Sequence, residues 1–115
     1  MTTQDQEDHR LAALTAGIKI FLGPASSDWY DRDTFYISSE DDSFFGMCES
    51  WHPKTNNADS FDLYNAIYRS LAEGCRKYIH LTNTLHDALM SGDSAAIREA
   101  IFNCAVEIGR DKEGK

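Results

Sequence analysis

The sequence predicts an α+β domain: a short amino-terminal helix, a three-stranded antiparallel sheet, then two or three helices packed on it. Three observations carry that expectation. The apolar period changes from helical to alternating just after Gly17. Two further stretches rich in β-branched and aromatic residues, TFYISS (34–39) and FFGMCESW (44–51), are joined by turn residues. Finally, SAAIREAIFNCAVEIG (94–109) carries an apolar stripe at unbroken helical spacing.

In chain order, EDHRLAALTAGI (7–18) places Leu11, Leu14 and Ile18 at helical spacing with alanines between them, and Gly17 suits the left-handed turn that closes a helix. IKIFLG (18–23) then sets Ile18, Ile20 and Leu22 on one side and Lys19 and Phe21 on the other, a strand stopped by Gly23 and Pro24. PASSDWYDRD (24–33) is a polar loop, after which Phe35 and Ile37 share a strand face. SSEDDS (38–43) supplies the connection of an antiparallel hairpin whose second strand is 44–51.

Next comes ESWHPKTNNAD (49–59), where the strand must end. Pro53 has no amide hydrogen and holds His52 extended, Asn56 or Asn57 can accept from the first free amides of a helix, and Asp59 in the first turn is favoured by the helix dipole. Trp51, Pro53, Asn56 and Asp59 therefore read as a structural corner between sheet and helix, with Trp51 as its plug. In the helix that follows, Leu63, Ile67 and Leu71 recur at steps of four, with Tyr64 and Tyr68 beside them.

Residues 75–90 carry two patterns. Cys75, Tyr78, Leu85 and Leu89 form an approximate helical stripe, whereas 78–82 alternates like a strand. The helical reading, with a break near Thr82–Thr84, is the expectation, and a strand is the alternative. Gly92 and Asp93 or Ser94 then close one helix and cap the next. In that last helix Ile97, Ala100, Ile101, Cys104, Ala105 and Ile108 form the packing face, while Phe102 and Val106 widen it and suggest a second contact through which copies could associate.

A length of 115 residues, 42% hydrophobic, fits one globular domain, with polar tails expected at 1–8 and 111–115. No apolar run approaches the roughly 18 residues of a membrane span, and the acidic opening TTQDQEDHR is unlike a secretory leader, so an intracellular protein is expected. Cys48, Cys75 and Cys104 are an odd set without CxxC spacing and read as reduced thiols. A formal charge of −8, from 19 acids against 11 Lys and Arg, disfavours direct binding to nucleic acid or anionic membranes and suits a basic partner.

Two blocks resemble a known family. WHPKTNNADSFDL (51–63) resembles the W-N-P-x-T-(D/N)-x-x-D-A-x-x-L segment, and DSAAIREAIFNCAVEIG (93–109) the D-x-x-A-x-R-x-A-I-x-x-A-A-x-E-I-G ending, of small tailed-phage and prophage proteins of the phage ABA-sandwich group. LAALTAGIKI (11–20) is similar to the first helix and strand of that group, while 72–92 has no counterpart and His52 stands where Asn is usual. The resemblance implies an α+β domain encoded by a phage or prophage, acting in the host cytoplasm, with no reaction attached. Small accessory proteins of this kind often inhibit host defence or regulation.

The catalytic options are thin. A zinc site would need three or four donors converging within about 2.0–2.3 Å of one point. Cys48, Glu49 and His52, with His80 and His86 approaching from the helical half, are the only candidates, and nothing in their spacing enforces convergence. Cys48 lacks any glycine-rich oxyanion corner or recognised nucleophile motif, and the loop acids Asp41 and Asp42 would stay ionised in water. No catalytic residue, metal or cofactor is therefore expected. The sequence favours a protein that binds and modulates a host protein, with Asp28, Trp29, Tyr30, Asp31, Asp33, Glu40, Asp41 and Asp42 as candidate contact residues. A structural or assembly accessory of the phage particle is the alternative, and a small metal-dependent enzyme the second alternative.

Overall fold

In a computed structural model, residues 2–23, 33–38, 49–73 and 77–114 are described. They form an α+β arrangement: helix α1 (Thr3–Ala16), strands β1 (Ile20–Leu22) and β2 (Phe35–Ile37), then helices α2 (Asn57–Glu73), α3 (Ile79–Ser91) and α4 (Ser94–Glu113).

α1 begins earlier than its apolar spacing predicts, because Thr2 Oγ1 accepts from the Asp5 amide at 3.1 Å and so satisfies a free donor of the first turn. Gly17, at φ 74°, closes it by donating to Ala13 and Leu14 carbonyls. α4 likewise runs to Glu113, and Arg10 of α1 donates to both Glu113 oxygens at 2.9 Å. Helix thus occupies much of the two stretches, 1–8 and 111–115, that composition assigns to tails.

β1 and β2 are antiparallel, with Ile20 opposite Ile37, Phe21 opposite Tyr36 and Leu22 opposite Phe35. Phe21 and Tyr36 stack across the pair at 5.7 Å. Along the other edge of β2, Ile37 N donates to Glu49 O at 2.9 Å and Trp51 N to Phe35 O at 2.8 Å, around an isolated antiparallel bridge from Tyr36 to Ser50. The named sheet therefore has two strands, and the body of the expected third strand, 44–48, lies outside the described residues.

Most of the core lies among the helices. α4 runs through the middle, packed against α1, α2 and α3, and buries Ala100, Ile101, Phe102, Cys104, Ala105, Val106, Ile108 and Gly109. Phe102 and Val106 are covered within the chain, which corrects the expectation that they offer a face for self-association: α4 has helices on several sides, so its widened stripe is used up internally. Ile18, Ile20 and Ile37 dock the sheet against the flank of this cluster.

The helical reading of 75–90 holds for α3, without the break expected near Thr82–Thr84. Thr82 Oγ1 donates to Tyr78 O at 3.2 Å and Thr84 Oγ1 to His80 O at 2.9 Å, so both threonines bond back along the helix and stay in it. Leu81 and Leu85 face the core, which overrides the local alternation. Gly92 (φ 72°) ends α3, and Asp93 Oδ1 accepts from Ala95 N at 3.1 Å to start α4.

Candidate functional site

Residues 51–59 form a tightly bonded corner. The His52 carbonyl accepts from Asn56 N at 2.8 Å, the His52 amide donates to Asp59 Oδ2 at 2.8 Å, and Asn56 Oδ1 accepts from Asp59 N at 3.0 Å, capping α2. Pro53 is fully buried and Trp51 is 4% exposed. Arg98 of α4 ties the corner down, donating through Nε to Lys54 O at 3.1 Å and through Nη1 to Asn57 Oδ1 at 2.7 Å. Lys54 Nζ meanwhile sits 5.3 Å from the centroid of the Phe102 ring. The side chains here are committed to one another, which is what a joint requires.

Behind the corner lies a group the sequence reading did not single out. His9 is buried among three aromatic rings: Phe35 stacked at 4.8 Å, Phe102 at 4.8 Å and Trp51 edge-on at 6.1 Å. Its Nδ1 lies 2.7 Å from the Asp5 carbonyl, which can only accept, so Nδ1 carries the proton. Burial lowers its pKa below the usual histidine value, against the smaller opposing effect of the Asp5 carbonyl. The ring is a neutral core member that α1 wedges against the sheet, the corner and α4.

The residues proposed for chemistry are not assembled. Cys48 lies outside the described residues, while His52 is exposed at the corner and His80 pairs with Glu107 at 3.1 Å. Cys104 is buried, its thiol donates to Leu81 O at 3.7 Å, and burial, with Glu107 nearby, pushes its pKa up to about 11. Among the described residues no three His, Cys, Asp or Glu side chains cluster as a metal would need. Of the eight candidate contact residues, Asp33 is exposed with φ 62°, and Asp28, Trp29, Tyr30, Asp31, Glu40, Asp41 and Asp42 lie outside the described residues.

The surface that stands out is elsewhere. Five of the six large hydrophobic side chains exposed among the described residues belong to α2 and α3: Phe61 (63%), Tyr68 (62%), Ile79 (59%), Leu89 (45%) and Met90 (74%). The two helices barely touch, and between them runs a groove of about 620 Å³ lined by Tyr64, Tyr68, Leu71, Ile79, Leu85 and Leu89, with His86 on its wall. At its end a smaller cleft of about 370 Å³ shares Tyr64 and Leu89 with it and reaches the first turns of α2 and α4. The periodicity of α2 places Tyr64 and Tyr68 beside the Leu63–Ile67–Leu71 stripe, and that spacing was the one signal in the sequence that bears on this groove.

No helix among the described residues is long and apolar enough to cross a membrane. Compared with family models, curated proteins and solved structures, the chain finds no match in any of the three.

Proposed function

We propose that this chain is a non-enzymatic binding protein, encoded by a phage or prophage, that modulates a host protein in the host cytoplasm by taking an amphipathic helix of that protein into the α2–α3 groove. The observation that carries the reading is the concentration of exposed large apolar side chains on those two helices, because contiguous exposed apolar surface of this kind marks interaction sites. A groove between two helices suits a third helix, whose apolar residues seat at steps of three and four.

Charge supports a basic occupant. α2 and α3 carry Asp59, Asp62, Glu73 and Asp87 against a single arginine, Arg69, on a chain of net charge −8. The same charge opposes pairing with a second copy. The phage assignment rests on the resemblance of 51–63 and 93–109. That these two stretches bond to each other, through Arg98, Lys54 and Asn57, supports reading them as one unit. We also read 44–51 as a third strand beside β2, continuing the pairing seen at Ser50.

Affinity capture from host lysate with the wild-type chain and with the double variant Tyr68→Ser/Met90→Ser tests the reading. A host protein retained by the first, lost by the second and released by raised salt is expected. Capture that is indifferent to both changes, or a dimeric mass for the isolated chain in solution, would sink it. Charge reversal at Asp28, Asp31, Asp33, Glu40, Asp41 and Asp42 reports separately on the loop acids, and should slow association without abolishing it.

A further inference from the structure

We propose that the cleft where the first turns of α2 and α4 meet binds a small amphiphilic carboxylate, an apolar chain or ring bearing one anionic head. The inference does not rest on the α2–α3 reading, since it concerns the polar end of the cleft and a ligand of a different class.

Ser60 is the first reason. It lines the cleft at 2% exposure, and its hydroxyl is the only buried side-chain polar atom without a hydrogen-bond partner among the described residues. Helical serines ordinarily bond back to the preceding turn or reach water, so a buried, unpartnered hydroxyl on a cleft wall is costly and calls for an explanation; a ligand that supplies the missing partner is one.

Charge gives the sign of that ligand. In a chain with 19 acids against 11 Lys and Arg, this cleft is lined by one cation, Arg98, and by no carboxylate. Four acids adjoin lining residues in sequence, Asp59, Asp62, Asp93 and Glu99, and none of them lines the cleft; Asp59 accepts from the His52 amide and Asp93 from the Ala95 amide. Arg98 spends Nε and Nη1 on Lys54 O and Asn57 Oδ1, which fixes the guanidinium plane and leaves Nη2 without a protein acceptor among the described residues. The amino-terminal turns of two long helices, α2 with 17 residues and α4 with 20, also reach the cleft, where their free amides and dipoles favour negative charge. Asn57, Ser60 and Ser94 can each donate as well as accept, and Arg98 can only donate, so the charge-bearing partner on offer at this end favours an acceptor. Phe61, Leu89, Ile97 and Ile101 form the apolar walls that would hold its body.

Octanoate, titrated into the isotopically labelled chain, is the probe, with octan-1-ol and octylamine as neutral and cationic controls of the same length. Saturable binding of octanoate is expected, with amide shifts centred on Ser60, Ser94 and Ile97, at least about tenfold tighter than octan-1-ol and with no detectable octylamine binding. Ser60→Ala should leave the free protein at least as stable and weaken octanoate about three- to tenfold, and Arg98→Gln should weaken it further. Tyr68→Ser/Met90→Ser, which changes one residue of the neighbouring groove and one exposed residue of α3, neither of them lining this cleft, should leave octanoate affinity unchanged. Equal affinity for octan-1-ol, no saturable octanoate binding, shifts centred on the α2–α3 groove, or unchanged affinity in a folded Ser60→Ala variant would each overturn the proposal.

Discussion

α1 against α4 and α2 against α3 are two helix pairs of the same small domain, and they are packed in opposite ways. Where α1 meets α4 the facing residues are small: Ala12 and Ala105 are fully buried, and Gly109 lets the backbone of α4 come up against the Leu11 carbonyl. Thr15 Oγ1 bridges the two by donating to Ala105 O at 2.6 Å. Between α2 and α3 the facing residues are Tyr64, Tyr68, Leu71, Ile79 and Leu89, too bulky for the backbones to close, and an open groove results. Apolar character is present in both pairs. What separates them is side-chain volume, which decides whether two apolar faces seal or stay available for a third element.

The sealed side should be the fragile one. Trp51 plugs the corner against His9 and is 4% exposed, so Trp51→Ala leaves a large void between α1, the sheet and α4. A loss of about 3–5 kcal/mol is expected in urea unfolding. A loss under about 1 kcal/mol would mean that the corner collapses easily and is not the joint described above.

Gly109 tests closeness itself. A Cβ at this position would collide with the Leu11 carbonyl and sit 3.0 Å from Thr15 Oγ1, and backbone cannot step aside as a side-chain tip can. Gly109→Ala should therefore destabilise by about 2–3 kcal/mol, although alanine alone favours a helix by about 1 kcal/mol. Thermal unfolding decides between them: a raised melting temperature would show that α1 and α4 are not in intimate contact.

His9 gives the same side a pH dependence. Its pKa in the folded chain is lowered by burial, while the unfolded chain holds it near 6.5. Above that value the ring is neutral in both states and its contribution is fully present. As pH falls, the unfolded chain takes up the proton first, so stability drops until the folded ring also titrates. One proton limits the slope to about 1.4 kcal/mol per pH unit. His9→Phe, measured by urea midpoint between about pH 7 and pH 5, should flatten that slope. An unchanged slope would place the pH dependence on other groups.

How much of this was legible in the sequence follows from how local each cause is. The stripe from Ile97 to Ile108 and the cap at Asn56 act within a turn or two of their own residues, and the spacing alone exposes them. Continuity of α3 was not legible, because the threonine back-bonds and the pull of Leu81 and Leu85 into the core depend on what lies across from them. The same blindness misjudged the α4 face and left the α2 face unread. Phe102 and Val106 read as uncovered and are buried, whereas Phe61 and Tyr68 sit beside a genuine core stripe and are exposed. Hydrophobic pattern reports which side chains would gain from cover; only the arrangement of neighbours reports which received it. Ser60 was likewise hidden, since a serine in a helical run carries no mark of the missing partner.

The open side should answer mutation in the reverse sense, and this is the smallest stability effect of the set. Tyr68 and Met90 are exposed by 62% and 74%, so Tyr68→Ser/Met90→Ser removes little buried area and should move the urea midpoint by no more than about 0.5 kcal/mol per site. Yet it removes Tyr68 from the groove lining and Met90 from the exposed apolar side chains of α3, and truncating an aromatic anchor of a docking surface costs about 2 kcal/mol or more in binding where it is a hot spot. The comparison thus predicts a variant that folds like the wild type and no longer retains a partner. A double variant that lost more than about 2 kcal/mol of stability would show instead that α2 and α3 lean on these side chains, and the groove would then be part of the core and no longer a place for another molecule.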